Sequence, residues 1–116
     1  MKKPLQYIDD DTRRSIDLCL DHIRKNHSVA AAYLFGSRAR GSHIAGSDAD
    51  LAVVLNGPKG KMSQVATEIA ATEFDVMLET GILVSTLPIW LEDWQIPSSH
   101  NNPSLIANIK RDGIPL

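Results

Sequence analysis

The sixteen residues Gly36-Ser37-Arg38-Ala39-Arg40-Gly41-Ser42-His43-Ile44-Ala45-Gly46-Ser47-Asp48-Ala49-Asp50-Leu51 decide the fold. An apolar run at 30–35 leads into this stretch, and a second apolar run at 51–55 leaves it. Short apolar runs bounded by Gly and Ser are typical of buried strands. We therefore predict a strand that ends at Gly36, a glycine-rich connection, and a second strand that carries Asp48 and Asp50.

The two aspartates of the second strand predict a metal site. Residues two apart on a strand point to the same face, so the carboxylates of Asp48 and Asp50 would lie about 5 to 7 Å apart. Carboxylates this close repel each other unless a cation lies between them. Hard divalent cations such as Mg²⁺ prefer oxygen ligands of this kind.

The residues before the aspartates have the chemistry of a phosphate site. Gly36 and Gly41 let the backbone turn tightly and approach a ligand. Ser37 offers a hydroxyl and an amide, while Arg38 and Arg40 offer cationic groups suited to phosphate. A phosphate site followed by a metal site favours phosphoryl or nucleotidyl transfer. The simpler alternative, a turn followed by two solvated aspartates, leaves the arginines and the spacing unexplained.

The joint pattern resembles a known signature. Gly36-Ser37, ten residues and then Asp48-x-Asp50 is similar to the motif of the polymerase-beta-like nucleotidyltransferase superfamily. The blocks at 38–41 and 47–51 resemble its small prokaryotic members, the minimal nucleotidyltransferases. The resemblance implies an α/β (α+β) fold, in which a mixed central sheet is flanked by helices. It also implies a third site carboxylate on a neighbouring strand.

Residues 74–78 supply the candidate for that third carboxylate. Phe74-Asp75-Val76-Met77-Leu78 alternates in the manner of a buried strand. An Asp within an apolar strand is costly unless it is paired or bound to metal. The resemblance therefore assigns Asp75 to the site with Asp48 and Asp50. Together they would hold two Mg²⁺ ions, with ATP as the expected donor substrate.

Composition limits the remaining possibilities. With 116 residues we expect a single domain, 1–116, and a net charge of −2 gives no electrostatic case for direct nucleic-acid binding. The lone Cys19 cannot form an internal disulfide, which favours a reducing cytoplasm. No signal peptide is recognisable, and no run of eighteen apolar residues predicts a membrane span.

Local signals predict the rest of the chain. The Asp triplet at 9–11 is interpreted as the capped start of a helix over Asp11–Asn26. A second helix is expected at 62–72, a strand at 82–87 with an antiparallel orientation as one possibility, and a last helix that Asn102 caps. Trp90 and Trp94 could stack a base, although packing in the core or at an interface is the favoured interpretation.

The acceptor substrate follows only from the resemblance. Minimal nucleotidyltransferases of this kind are similar to the antitoxins of two-gene modules whose toxins are HEPN-type ribonucleases. The resemblance implies AMPylation of a toxin tyrosine, with the toxin as the partner in a hetero-oligomer; a homo-oligomer is the other possibility. Two alternatives stay open: an aminoglycoside-type small-molecule nucleotidyltransferase with a helper subunit, and a non-catalytic antitoxin that acts by binding alone.

Overall fold

The computed structural model describes residues 8–116 as a mixed sheet flanked by helices, which confirms the predicted fold class. In chain order the elements are α1 (Asp10–Asn26), β1 (Val29–Phe35), α2 (Ser37–Arg40), β2 (Ala49–Leu55), α3 (Met62–Thr80), β3 (Val84–Trp90), α4 (Leu91–Gln95), a 3₁₀ turn (Pro97–Ser99), α5 (Pro103–Asp112) and β4 (Ile114–Pro115). The sheet order is β3-β2-β1-β4, so β3 and β4 are the outer strands. β1 is antiparallel to both β2 and β4, whereas β2 and β3 are parallel.

The two faces of the sheet are covered by different helices. On one face, odd-numbered β2 residues such as Leu51 and Val53 pack against α1 and α3, and we call this the α3 face. On the other face, Ala52 packs with Ile106 and Ile109 of α5, and we call this the α5 face. Because strand residues alternate between faces, the number of a β2 residue tells which face it occupies.

Two helices begin where the capping signals predict. The Asp9 side chain accepts a hydrogen bond from the Thr12 amide at 2.9 Å, and α1 starts at the next residue. The Asn102 side chain accepts from the Leu105 amide at 3.2 Å, with a proline in the first turn of α5. A cap of this kind satisfies an amide that the helix itself leaves unpaired. The capping interpretation is therefore confirmed at both positions.

The prediction of a strand at 74–78 was wrong, because these residues continue the helix α3. This helix runs unbroken from Met62 to Thr80. Val76 is buried, but Phe74 and Leu78 are 56% and 68% exposed. Their alternation is therefore not the inside–outside pattern of a strand. Parallel strands need a long crossover connection, and α3 provides it between β2 and β3.

Both tryptophans have contacts within the domain, which confirms the core-packing interpretation. The Trp94 ring is stacked on Tyr33 with the centroids 5.0 Å apart, and Lys110 Nζ lies 4.9 Å from the Trp94 centroid. Trp90, at the end of β3, is half-buried against the core of the α3 face. No helix within 8–116 has the length and hydropathy needed to cross a bilayer.

Candidate active site

The turn after β1 brings Gly36 against the carboxylate of Asp50. Phe35 and Asp50 are register partners on β1 and β2. Gly36 has φ +76°, a conformation that favours glycine. A Cβ added to Gly36 would overlap Asp50 Oδ2 and lie 3.1 Å from its Cγ. Glycine is therefore required here for its backbone conformation and also to leave room for the carboxylate.

Asp50 lies on the α5 face, and Asp48 is close to it, just before β2 begins. Asp50 alternates with the fully buried Ala49 and Leu51, so its side chain is on the opposite side from theirs. Asp48 is exposed and immediately precedes β2. The pKa of Asp50 is raised above its usual value, first by burial and then by the negative charge of Asp48. The positive charge of Arg40 offsets only part of this rise. The three charged groups are thus close enough to act on one another.

The two motif arginines have different surroundings, because Arg38 is buried and Arg40 is exposed. Arg38 is buried, and its Nη1 donates to Thr12 Oγ1 of α1 at 2.8 Å. Its Nε donates to the Ser47 carbonyl at 2.9 Å, directly before Asp48. Arg38 therefore fixes the loop that presents Asp48. Phosphate binding by Arg38 and by Ser37 stays a prediction, whereas Arg40 is exposed and lies near Asp50.

Asp75 does not lie with the other two carboxylates. It is an exposed residue of α3, and α3 covers the sheet face opposite to Asp50. No group of three His, Cys, Asp or Glu side chains within 8–116 is arranged to hold a metal ion. The argument for Asp75 depended on a buried strand, and with the helix that argument fails.

The position beside Asp50 on the neighbouring strand is occupied by Ser85. Asp50 and Ser85 are register partners in the parallel β2–β3 pair. Ser85 is exposed, and the next residues on its side of β3, Leu87 and Ile89, pack on the α5 face. A hydroxyl therefore stands where a third carboxylate would adjoin Asp50.

Comparison with known proteins identifies the family. The family model described as "Nucleotidyltransferase domain" matches residues 16–102, which is most of the chain and includes both aspartates. The chain belongs to the nucleotidyltransferase domain family. A search of curated protein sequences gave no match.

A solved structure shares the fold of this nucleotidyltransferase domain. The crystal structure of a candidate nucleotidyltransferase from Sulfolobus solfataricus superposes with a TM-score of 0.50 at 18% sequence identity. The match covers 91% of this chain and 82% of that chain. At this identity the likeness concerns the fold alone, and it agrees with the mixed sheet described above.

The donor set of the nucleotidyltransferase domain fits Mg²⁺ bound together with a nucleotide. Domains of this family use a nucleoside triphosphate and a divalent metal. Proteins commonly hold Mg²⁺ with one or two carboxylates, and substrate phosphates and water complete its six ligands. Asp48 and Asp50 fit this arrangement for one ion. The predicted set of three carboxylates does not, because Asp75 lies on the other face of the sheet.

A pocket next to the motif turn includes residues that the sequence analysis did not single out. It has a volume of about 290 Å³ and lies between the motif turn, at Gly36 and Arg40, and α5, at Asn108 and Arg111. Arg111 is a basic residue in the last turn of a helix, where such residues are common. No local signal predicts its position, because the contact depends on how α5 crosses the sheet.

Proposed function

We propose that this nucleotidyltransferase domain transfers AMP from ATP to a hydroxyl of a partner protein, a tyrosine of a HEPN-type ribonuclease toxin, and thereby acts as an antitoxin. The transfer chemistry is supported by one observation above all. The Asp50 carboxylate lies directly beside the Gly36 turn, and Asp48 and Arg40 are close enough for their charges to influence it. The choice of acceptor is supported by the resemblance of the motif to minimal nucleotidyltransferases.

In the proposed reaction, the acceptor hydroxyl attacks the α-phosphorus of ATP and passes its proton to water. The bond from the α-phosphorus to the bridging oxygen breaks, and pyrophosphate leaves. Mg²⁺ bound by Asp48 and Asp50 would supply Lewis-acid stabilisation of the phosphate charge. The chain itself positions the substrate: Arg40 binds phosphate oxygens, and Arg38 holds the loop with Asp48 in place through Ser47.

The proposal is tested by incubating the protein with ATP, Mg²⁺ and the toxin, followed by intact-mass measurement of the toxin. We expect a gain of whole AMP units on a tyrosine. Asp48→Asn and Asp50→Asn should each reduce the rate by about a thousandfold or more, equivalent to a loss of ~4 kcal/mol of barrier stabilisation. Asp75→Asn is the matched control, since it makes the same change on the opposite sheet face. An Asp50→Asn protein with full activity would refute the assignment.

A second candidate function, inhibition of the toxin by binding alone, is favoured by the serine at position 85. The carboxylate pair has no third acidic neighbour on β3 at that register position. The same experiment separates the two functions, because Asp50→Asn should still bind the toxin. Full toxin inhibition by Asp50→Asn without any mass change would favour occlusion over covalent modification.

A further inference from the structure

We propose that α5 forms the second wall of the nucleotide site, where Arg111 binds the β- and γ-phosphates opposite Arg40. The proposal rests on the proposed function, since it assumes that a nucleoside triphosphate is the donor. It concerns an element beyond the family match, which ends at residue 102, whereas α5 spans Pro103–Asp112. Arg111 also lies outside the signature of glycine, serine and aspartates.

The position of α5 brings Arg111 to the site. Ile106 and Ile109 are buried against the α5 face, and this packing fixes the helix on the side of the sheet that carries Asp50. From there Asn108 and Arg111 line the same pocket as Gly36. Gly36 is also the residue beside the Asp50 carboxylate, where an added Cβ would overlap Oδ2. A ligand in this pocket would therefore lie next to the turn that adjoins Asp50.

The charges of the pocket suit a polyphosphate. Arg40 lines it from α2 and Arg111 lines it from α5, so two different helices each contribute a guanidinium group to one pocket. Among the residues that line the pocket, one is acidic, Asp112. Guanidinium groups bind phosphate oxygens through paired, charge-assisted hydrogen bonds. The pocket volume of about 290 Å³ is at the lower limit for a whole ligand and fits part of a nucleotide.

Arg111 contacts the carboxylate of Asp112 and still has N–H groups that are available to bind phosphate. Its Nε lies 3.1 and 3.2 Å from the Asp112 carboxylate oxygens, and its Nη2 lies 2.9 Å from Oδ2. A guanidinium has five N–H donors, and these contacts use one on Nε and one on Nη2. Three N–H groups therefore have no acceptor among the described residues.

Calorimetry with three probes tests the proposal. ATP, AMP and inorganic pyrophosphate are titrated separately, in Mg²⁺ buffer, into the full chain and its variants. Arg111→Gln should weaken binding of ATP and pyrophosphate by about tenfold or more, because a charged hydrogen-bonding partner is lost. Binding of AMP should change less than about twofold by the same reasoning, since AMP lacks the β- and γ-phosphates. Arg111→Lys should fall between, because it keeps the charge without the paired geometry.

The control is Arg24→Gln, which removes the same charge from an exposed position in the last turn of α1. It should leave the binding of all three probes unchanged, and thermal unfolding should show every variant folded. Equal ATP affinity in wild type and Arg111→Gln would refute the α5 subsite and leave the proposed function standing. A matching loss of AMP affinity would also refute it, because Arg111 would then contact the α-phosphate or the nucleoside, which AMP retains. A wild-type protein that binds no ATP would overturn the proposed function and this inference together.

Discussion

Gly36→Ala should be among the most damaging single-methyl changes in this domain. The backbone at Gly36, with φ +76° and ψ −160°, lies in a region that is essentially restricted to glycine. Forcing alanine into such a conformation costs about 1 to 3 kcal/mol. The new methyl group would also overlap Asp50 Oδ2, and overpacking of this kind costs about 1 to 3 kcal/mol more. We expect a total loss of about 2 to 6 kcal/mol in the free energy of unfolding, measured by urea denaturation.

A matched control separates the two contributions. Gly81 ends α3 with φ +78°, and a Cβ there would meet nothing within 4 Å. Gly81→Ala should therefore show only the left-handed backbone cost of about 1 to 2 kcal/mol. Nucleotidyl transfer should be unchanged in Gly81→Ala, whereas in Gly36→Ala a displaced Asp50 should reduce it by about a hundredfold.

A double-mutant cycle makes the reasoning refutable. In an Asp50→Ala background the Oδ2 and Cγ atoms are gone, and the new methyl of Gly36→Ala would lie 3.4 Å from the remaining Cβ. That distance is an ordinary contact, so only the backbone cost should persist. The coupling energy between the two changes should then be about 1 to 3 kcal/mol. A coupling near zero would show that the close approach to the carboxylate is not what selects glycine.

Three further changes test other parts of the structure. Ser85→Asp should tighten Mg²⁺ binding in the presence of ATP by about tenfold in calorimetry, because it adds a carboxylate in register with Asp50; unchanged affinity would count against this geometry. Arg38→Gln should lower the free energy of unfolding by about 1.5 to 3 kcal/mol, since it removes charged hydrogen bonds from a buried side chain. Burial alone would raise the pKa of Asp93, but hydrogen bonds from Lys59 and Ser99 outweigh it and lower that pKa below 3.8. Asp93 therefore stabilises the fold above pH 3.8 and loses this effect as the pH falls through its lowered pKa, so wild type and Asp93→Asn should differ at pH 7 and converge in acid.

The helices and strands that can be predicted from the sequence are those whose decisive residues lie close together in the chain. The caps at Asp9 and Asn102 satisfy helix amides within three residues, so the sequence alone contains the relevant contacts. The strands on either side of the glycine-rich motif were also predicted, because each contains an uninterrupted apolar run, at 30–35 in β1 and at 51–55 in β2. The second strand was expected to carry both Asp48 and Asp50, but β2 begins at Ala49, so strand alternation places only Asp50.

The predictions failed where the structure of a segment depends on tertiary packing and not on its local sequence. Phe74, Val76 and Leu78 alternate like a strand, but two of them are exposed on a helix, and nothing in the local sequence distinguishes these cases. The parallel orientation of β3 depends on the crossover helix, so the strand that adjoins Asp50 was not identified in advance. The approach of Arg111 to Gly36 likewise depends on how α5 lies across the sheet.

The outer strands of the described sheet each contain a proline, and this affects how the protein behaves at high concentration. An exposed strand edge can pair with the edge of another molecule and so start aggregation. Proline has no amide hydrogen to donate, and it therefore interrupts such pairing. Pro88 lies within β3 and Pro115 within β4, so both edges have an interrupted row of donors. The protein should therefore resist edge-to-edge pairing of its sheet with the sheet of another molecule. Of the two prolines, Pro88 is the one whose replacement, Pro88→Val, should most promote fibril formation.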